Sequence, residues 1–194
     1  MALQDTRSDD ELMLCYASGD GGAFDILYSR HRLAVCSFLK GMRPSSAEDL
    51  CQEAWLRLVK ASASWKAGGN FKAYLWRTAR NLAIDDMRKK TPELTVDVQS
   101  DAGGRTAEIV PEAFVAAPHE NLVRREELAA VRAAVAALSP ADREVVLLRT
   151  QAEMSFAEIA SATGAPLGTV LSRMHRALAA LRIKAAGILS EKGG

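Results

Sequence analysis

The sequence is poor in aromatic residues, at 6%, and holds only three cysteines and six prolines among its 194 residues. Scarce aromatics together with abundant Ala, Leu and Arg favour helix over strand. No apolar run approaches the ~20 residues that a membrane-spanning helix needs. The acidic stretch Met1–Met13 lacks the apolar core of a signal peptide, so a cytoplasmic protein without membrane insertion is expected. Cys15, Cys36 and Cys51 are odd in number and widely spaced, which speaks against a disulfide framework. A zinc site built from them and His31 would need close ligand pairs, and neither CxxC nor HxxxH occurs. Each cysteine lies in a helix-like apolar pattern, so all three are expected as small buried hydrophobes. No cofactor, metal or catalytic set is expected.

Net charge is equally slight, at +1, but it is unevenly spread. Residues 1–90 carry a net +3, residues 91–120 a net −5, and residues 121–194 a net +3. Within the first segment the bases crowd together as Lys66, Lys72, Arg77, Arg80, Arg88, Lys89 and Lys90. The segment 166–194 holds five bases against one acid. Two basic patches flank an acidic connector, a distribution compatible with a polyanionic partner but shared by many solvated faces. The connector also carries Pro92, Pro111, Pro118 and Gly103-Gly104 with no sustained period. It reads as a linker that leaves two helical domains free to move.

The pattern predicts an all-α chain of two small helical domains, 1–90 and 121–194, joined by the flexible acidic linker 91–120. In the first, Ser8 and Glu11 form a capping box ahead of a short helix that ends near Gly19. A second helix, from about Ala23 to Leu39, aligns Phe24, Leu27, Tyr28, His31, Val35 and Phe38. Ser46 and Asp49 suggest another box, opening a third helix that buries Leu50, Ala54, Trp55, Leu58 and Val59. A fourth, from about Phe71 to Lys89, buries Phe71, Tyr74, Leu75, Thr78 and Leu82. Its opposite face would show Trp76, Arg77, Arg80, Asn81 and Ile84. The second domain starts with a helix from about Glu120 to Ala137. Ser139-Pro140-Ala141-Asp142 then starts another, Ser155 and Glu158 box in a third, and a last one runs from Pro166 past Arg182.

The segment SFAEIASATGAPLGTVLSRMHRALAALR carries the most specific spacing. A helix-turn-helix needs a small residue where its helices touch, met by Ala160. It needs a residue that tolerates positive φ four positions on, met by Gly164, and an apolar anchor six further, met by Val170. Ile159, Leu167 and Leu178 complete the apolar face. Thr169, Ser172, Arg173, His175 and Arg176 are left outside, with side chains suited to phosphates and base edges.

That segment, preceded by LSPADREVVLLR, resembles region 4 of bacterial sigma factors of the extracytoplasmic-function type, in the sigma-70 family. DLCQEAWLRLVKAS followed by FKAYLWRTARNLAIDDMRKK resembles region 2 of the same family, in the right order and at the right distance. The resemblance implies a promoter-specificity subunit with no catalysis of its own. Asp49, Leu50, Gln52 and Glu53 would dock on the clamp coiled coil of core RNA polymerase. Trp65, Lys66, Asn70, Phe71, Trp76, Arg77, Arg80 and Asn81 would engage the −10 element as it melts. Arg149, Thr169, Ser172, Arg173, His175 and Arg176 would hold and read the −35 duplex. Promoter DNA, core polymerase and an anti-sigma factor are the partners implied.

Chemistry independent of the resemblance agrees, since an opened base needs a planar platform and hydrogen-bonding groups beside it. For Trp65, stacking on a base and peripheral packing remain equally open. Leu171 departs from the family pattern, which commonly has Lys or Arg after GTV. Two other readings compete. A two-domain helix-turn-helix regulator would bind duplex without polymerase. A metalloenzyme would use the Cys/His set and Asp85-Asp86, but neighbouring residues on a helix point about 100° apart and do not face each other.

Overall fold

The computed structural model describes residues 5–89 and 128–191, with side chains through residue 184. Eight helical stretches and no strand occur among the described residues. Helix α1 (Asp9–Ala17) opens as expected: the Ser8 hydroxyl accepts from the Glu11 N–H at 3.3 Å and the Glu11 carboxylate accepts from the Ser8 N–H at 2.7 Å. Helix α2 (Gly21–Met42) is longer at both ends than its apolar stripe suggested. The Asp20 side chain starts it early by accepting from the Ala23 N–H, and buried Met42 extends it to the turn. Helix α3 (Ala47–Ser62) begins after Ser46, but the reciprocal Ser46–Asp49 cap does not form. Glu48 and Asp49 still place negative charge where the helix dipole favours it. Helix α4 (Phe71–Lys89) has an unforeseen cap: Asn70 Oδ1 accepts from the Ala73 N–H at 2.8 Å.

These four helices close on an aromatic core. Trp76 meets Phe38 edge to face at 5.7 Å, and Trp55 meets Tyr28 at 4.9 Å in the same manner. The inner stripe of α3 is Cys51, Ala54, Trp55 and Leu58. Leu50, expected inside, is only half-buried, and Val59 is 37% exposed. On α4 the correction is larger: Trp76, expected on the outer face, is 1% exposed. The buried arc of α4 includes both Leu75 and Trp76, and both Leu82 and Ala83, because α2 covers a flank that a one-sided helix would leave wet.

Cys36 and Cys51 are joined in a disulfide with a Cα–Cα distance of 5.5 Å, contrary to the expectation of three separate thiols. The sequence spacing gave no warning because the pairing is tertiary. The short turn after Met42 folds α3 back beside α2, bringing positions 15 residues apart into register. Cys15 remains a thiol, half-buried beside the Arg7 guanidinium at 3.6 Å.

In the second half, residues 128–136 are helical and form α5; its expected start near Glu120 lies outside the described residues, as does the acidic connector. Helix α6 (Pro140–Thr150) starts at Ser139, whose hydroxyl accepts from the Asp142 N–H at 3.2 Å, with Pro140 at the first position. Helix α7 (Phe156–Thr163) has the expected Ser155/Glu158 capping box. Helix α8 (Leu167–Glu191) follows the turn at Gly164.

The two halves touch, where the composition of the connector suggested independence. Helix α2 lies on α6 and α4 on α7. Gly41 sits so close to Leu147 that a Cβ there would fall 2.7 Å from a Leu147 methyl. Arg80 Nε on α4 donates to Glu144 Oε1 on α6 at 2.7 Å, with both side chains largely buried. Among the described residues no helix is long and apolar enough to cross a membrane.

Candidate nucleic-acid interface

The α7–turn–α8 unit has the geometry that its spacing required. Ile159 and Val170 are fully buried, Ala160 lies between the helices half-buried, and Gly164 ends α7 with φ of 68°. An L side chain adopts that conformation only at a cost, so glycine suits the turn. Leu167 and Leu178, expected inside, are 47% and 39% exposed, since α6 and α7 cover a narrower strip of α8.

On the outer side of α8, Ser172, His175 and Arg176 are exposed, while Thr169 and Arg173 are half-buried. Ser172 Oγ donates to the Thr169 carbonyl at 2.9 Å. Arg176 is not idle: its guanidinium reaches the buried carboxylate of Asp142 at 2.7 Å yet stays 59% exposed. Arg149 lies over the Phe156 ring at 5.3 Å and donates to the Met154 carbonyl at 2.7 Å. It therefore braces the turn into α7, where Glu153 takes a positive φ of 52°. Arg143 performs a similar task one corner earlier, donating to the Ala136 and Leu138 carbonyls; burial lowers its pKa.

The face expected to meet an opened strand is thinner than the sequence suggested. Phe71 is fully buried, with its N–H held by Asp10 at 2.6 Å, and Trp76 is buried against Phe38, so neither presents a ring to a base. Trp65 is half-buried and packs edge-on against Tyr74 at 5.4 Å. Gly69 makes room for that ring, as a Cβ there would lie 2.9 Å from it. Trp65 thus shapes the loop rather than standing free of it. Lys66, Asn70, Arg77 and Asn81 are exposed, and Arg80 is engaged by Glu144.

Asp49, Gln52, Glu53 and Leu56 recur at helical spacing on α3, on the face opposite the stripe that begins with Cys51. Asp49 and Gln52 are exposed, and Leu50 flanks them half-buried. Glu53 pairs with Arg57 at 2.8 Å, and that hydrogen bond holds its carboxyl below the usual carboxylate range. Leu56, 52% exposed, and Val59 add an apolar element to this face that the sequence reading missed. The signal was present, since Leu56 falls off the inner stripe.

Comparison with known proteins decides what this architecture is. The family model for sigma-70 region 2 matches residues 27–93, and that for sigma-70 region 4 matches residues 128–181. The chain is 32% identical to the ECF RNA polymerase sigma factor SigW of Bacillus subtilis, over 84% of its own length and 89% of the relative's. The chain belongs to the sigma-70 family, in its extracytoplasmic-function group. This sigma factor is likewise 31% identical to SigC of Mycobacterium tuberculosis, covering 91% of this chain and 92% of the relative. With the sigma-E factor of Escherichia coli it shares 29% identity over 92% and 95% of the two chains.

Its fold matches that of CnrH, solved in complex with the cytosolic domain of CnrY, at a TM-score of 0.66 and 23% identity over 93% of this chain and 99% of that one. It also matches the sigma factor RpoE of Bartonella quintana, solved with the anti-sigma factor NepR, at a TM-score of 0.60 and 21% identity over 84% and 96%. The region 2 match thus takes in most of α2 with α3 and α4, the region 4 match runs from α5 into α8, and the chain is a promoter-specificity subunit.

Proposed function

We propose that this sigma factor, itself without catalysis and acting in the cytoplasm, divides promoter recognition between the domains 1–90 and 121–194, joined by the linker 91–120. Asp49, Leu50, Gln52 and Glu53, with Leu56 beside them, dock region 2 on the clamp coiled coil of core polymerase. Lys66, Asn70, Arg77, Arg80 and Asn81 meet the −10 element as its strands part. Thr169, Ser172, Arg173, His175 and Arg176 face the −35 duplex, with Arg149 on phosphate. An anti-sigma protein restrains the factor, as such a protein accompanies the sigma factor from Bartonella quintana. The observation that carries this reading is the exposed polar face of α8, set on a helix-turn-helix in a sigma-70 chain.

Geometry adds a requirement. Elements about 25 base pairs apart are separated by roughly 85 Å at 3.4 Å per pair. Domains in contact through Gly41–Leu147 and Arg80–Glu144 do not span that distance. A linker of about 30 residues does, reaching roughly 100 Å when extended. Promoter engagement therefore opens the Arg80–Glu144 pair.

Run-off transcription with core polymerase, on duplex and pre-melted templates, tests the division of labour. Asn81→Ala and Lys66→Ala should be partly rescued when the −10 region is already mismatched. Arg176→Ala should weaken duplex recognition by about 1–3 kcal/mol if it makes a bidentate base contact, and pre-melting should not restore it. Equal rescue of Arg176→Ala would refute the assignment. Reversing Asp49 and Glu53 to Lys should reduce co-purification with core polymerase while leaving the fold intact, because exposed charges contribute little stability.

A further inference from the structure

We propose that Cys36 and Cys51 form a reversible dithiol–disulfide site through which low-molecular-weight disulfides set the order of the α2–α3 corner. The two Cα atoms stand 5.5 Å apart, at the usual separation for a bridge, so the bond closes without moving either helix. Access differs between the sulfurs. Cys51 is 7% exposed on the inner stripe of α3, whereas Cys36 on α2 is only half-buried. A small disulfide of the glutathione class therefore meets Cys36 first. The Cys36 thiolate attacks one of its sulfurs, forming a mixed disulfide and expelling one thiol. The Cys51 thiolate then attacks the Cys36 sulfur and expels the second. Two protein thiols and one disulfide become one protein disulfide and two small thiols. The two electrons lost by the protein are gained by the small disulfide, and excess small thiol runs both steps backward.

What the bond encloses gives it consequence. The loop between residues 36 and 51 contains Gly41, which faces Leu147 of region 4, and Arg43, which pairs with Asp86 at 2.6 Å. It also contains the first turn of α3. Cys51 lies on the opposite face of that helix from Asp49, Gln52, Glu53 and Leu56, so the bridge anchors the docking face from behind without covering it. In a reducing compartment the dithiol is the resting form, and a rise in small disulfides closes the bond. The effect on polymerase rests on the docking role proposed for α3; the thiol chemistry does not.

The test uses the full chain carrying Cys15→Ser, so that only this pair can react. The protein is equilibrated in graded mixtures of reduced and oxidised glutathione, quenched in acid, alkylated and weighed by mass spectrometry. Both thiols should disappear together, giving a species lighter by two hydrogens. With Cys51→Ser added, a glutathione adduct should accumulate on Cys36; with Cys36→Ser instead, Cys51 should stay unreacted. Amide hydrogen exchange across residues 36–51 should slow several-fold in the bridged form, and core polymerase should bind it a few-fold more tightly. Free thiols across the whole series, a glutathione adduct that persists on Cys36 while Cys51 is present, or unchanged exchange in 36–51 would each overturn the proposal. If the bridge forms and exchange slows, yet the Asp49/Glu53 reversal leaves core binding untouched, the docking role of α3 fails and the redox site stands.

Discussion

Region 2 buries Trp55, Trp76, Phe38 and Phe71 and adds a disulfide, whereas no residue larger than Leu or Met is buried in region 4 among the described residues. The larger rings give region 2 a core whose stability is spread over many contacts. Region 4 packs a smaller aliphatic core, with Val145, Leu148, Ile159 and Val170 fully buried, and leans as well on the ends of its helices: Ser139, the Ser155/Glu158 box, Gly164 and the arginines that brace its corners. On the roles proposed above, a domain that docks on a protein and holds separated strands gains from a stiff core. On those same roles, a domain that sets the face of α8 into a groove gains from fixing where that helix begins.

The largest effect should come from the rings. Trp76→Ala should destabilise region 2 by about 3–5 kcal/mol in denaturant titration. A cost under about 1 kcal/mol, as for an exposed site, would place the indole at the surface and return it to the strand-contacting set. Next comes the disulfide: reduction removes a 15-residue loop constraint worth about 3 kcal/mol on a chain-entropy model. Denaturation of the reduced and bridged forms measures it, and the loss should fall on region 2.

Gly164→Ala acts on the other half. It should cost about 1–2 kcal/mol through the left-handed backbone, and it should shift region 4 unfolding and −35 duplex affinity together. Ser155→Ala should cost about 1 kcal/mol, read in the same two assays. Should either variant leave region 4 unchanged, the reliance on helix ends is refuted.

The smallest effect is with pH. Hydrogen bonds from Ser8 and Ser155 lower the pKa of the Glu11 and Glu158 carboxyls. A carboxyl lowered on folding contributes stability above its unfolded pKa, near 4.3, and loses it as pH falls through the folded value. Both helix starts should therefore loosen only in acid, which circular dichroism between about pH 5 and pH 2 would follow. Ser155→Ala should remove the Glu158 part of that change.

How much could be read beforehand follows the same division. The capping boxes at Ser8 and Ser155, the start at Ser139-Pro140 and the Ala160–Gly164–Val170 spacing are local, and each stands where the sequence put it. The missed features depend on what lies across the fold. Cys36 meets Cys51 only once α3 folds back on α2. Trp76 is buried by α2, not by its own helix. Phe71 combined a core position with an expected DNA contact, and the core position prevailed. Trp65 rests on Tyr74 through space opened by Gly69, a contact that periodicity does not report. The Arg80–Glu144 pair joins residues 64 apart in sequence, beyond any helical pattern.

That last pair has a thermodynamic consequence. Nucleic acid is normally bound with a gain in entropy, because each arginine or lysine that meets a phosphate displaces a condensed counterion into solution. Arg80 starts with a counterion of its own, the largely buried carboxylate of Glu144, and Arg176 starts with that of Asp142. Helix α6 thus carries two fixed anions that, on the proposed roles of these arginines, hold the places promoter phosphates would take. Under the proposed division of roles, handing these arginines over to DNA would leave a largely buried carboxylate behind, which must then be rehydrated. Each such transfer would exchange a partner inside the chain for one outside it, and it would begin from an arginine already neutralised.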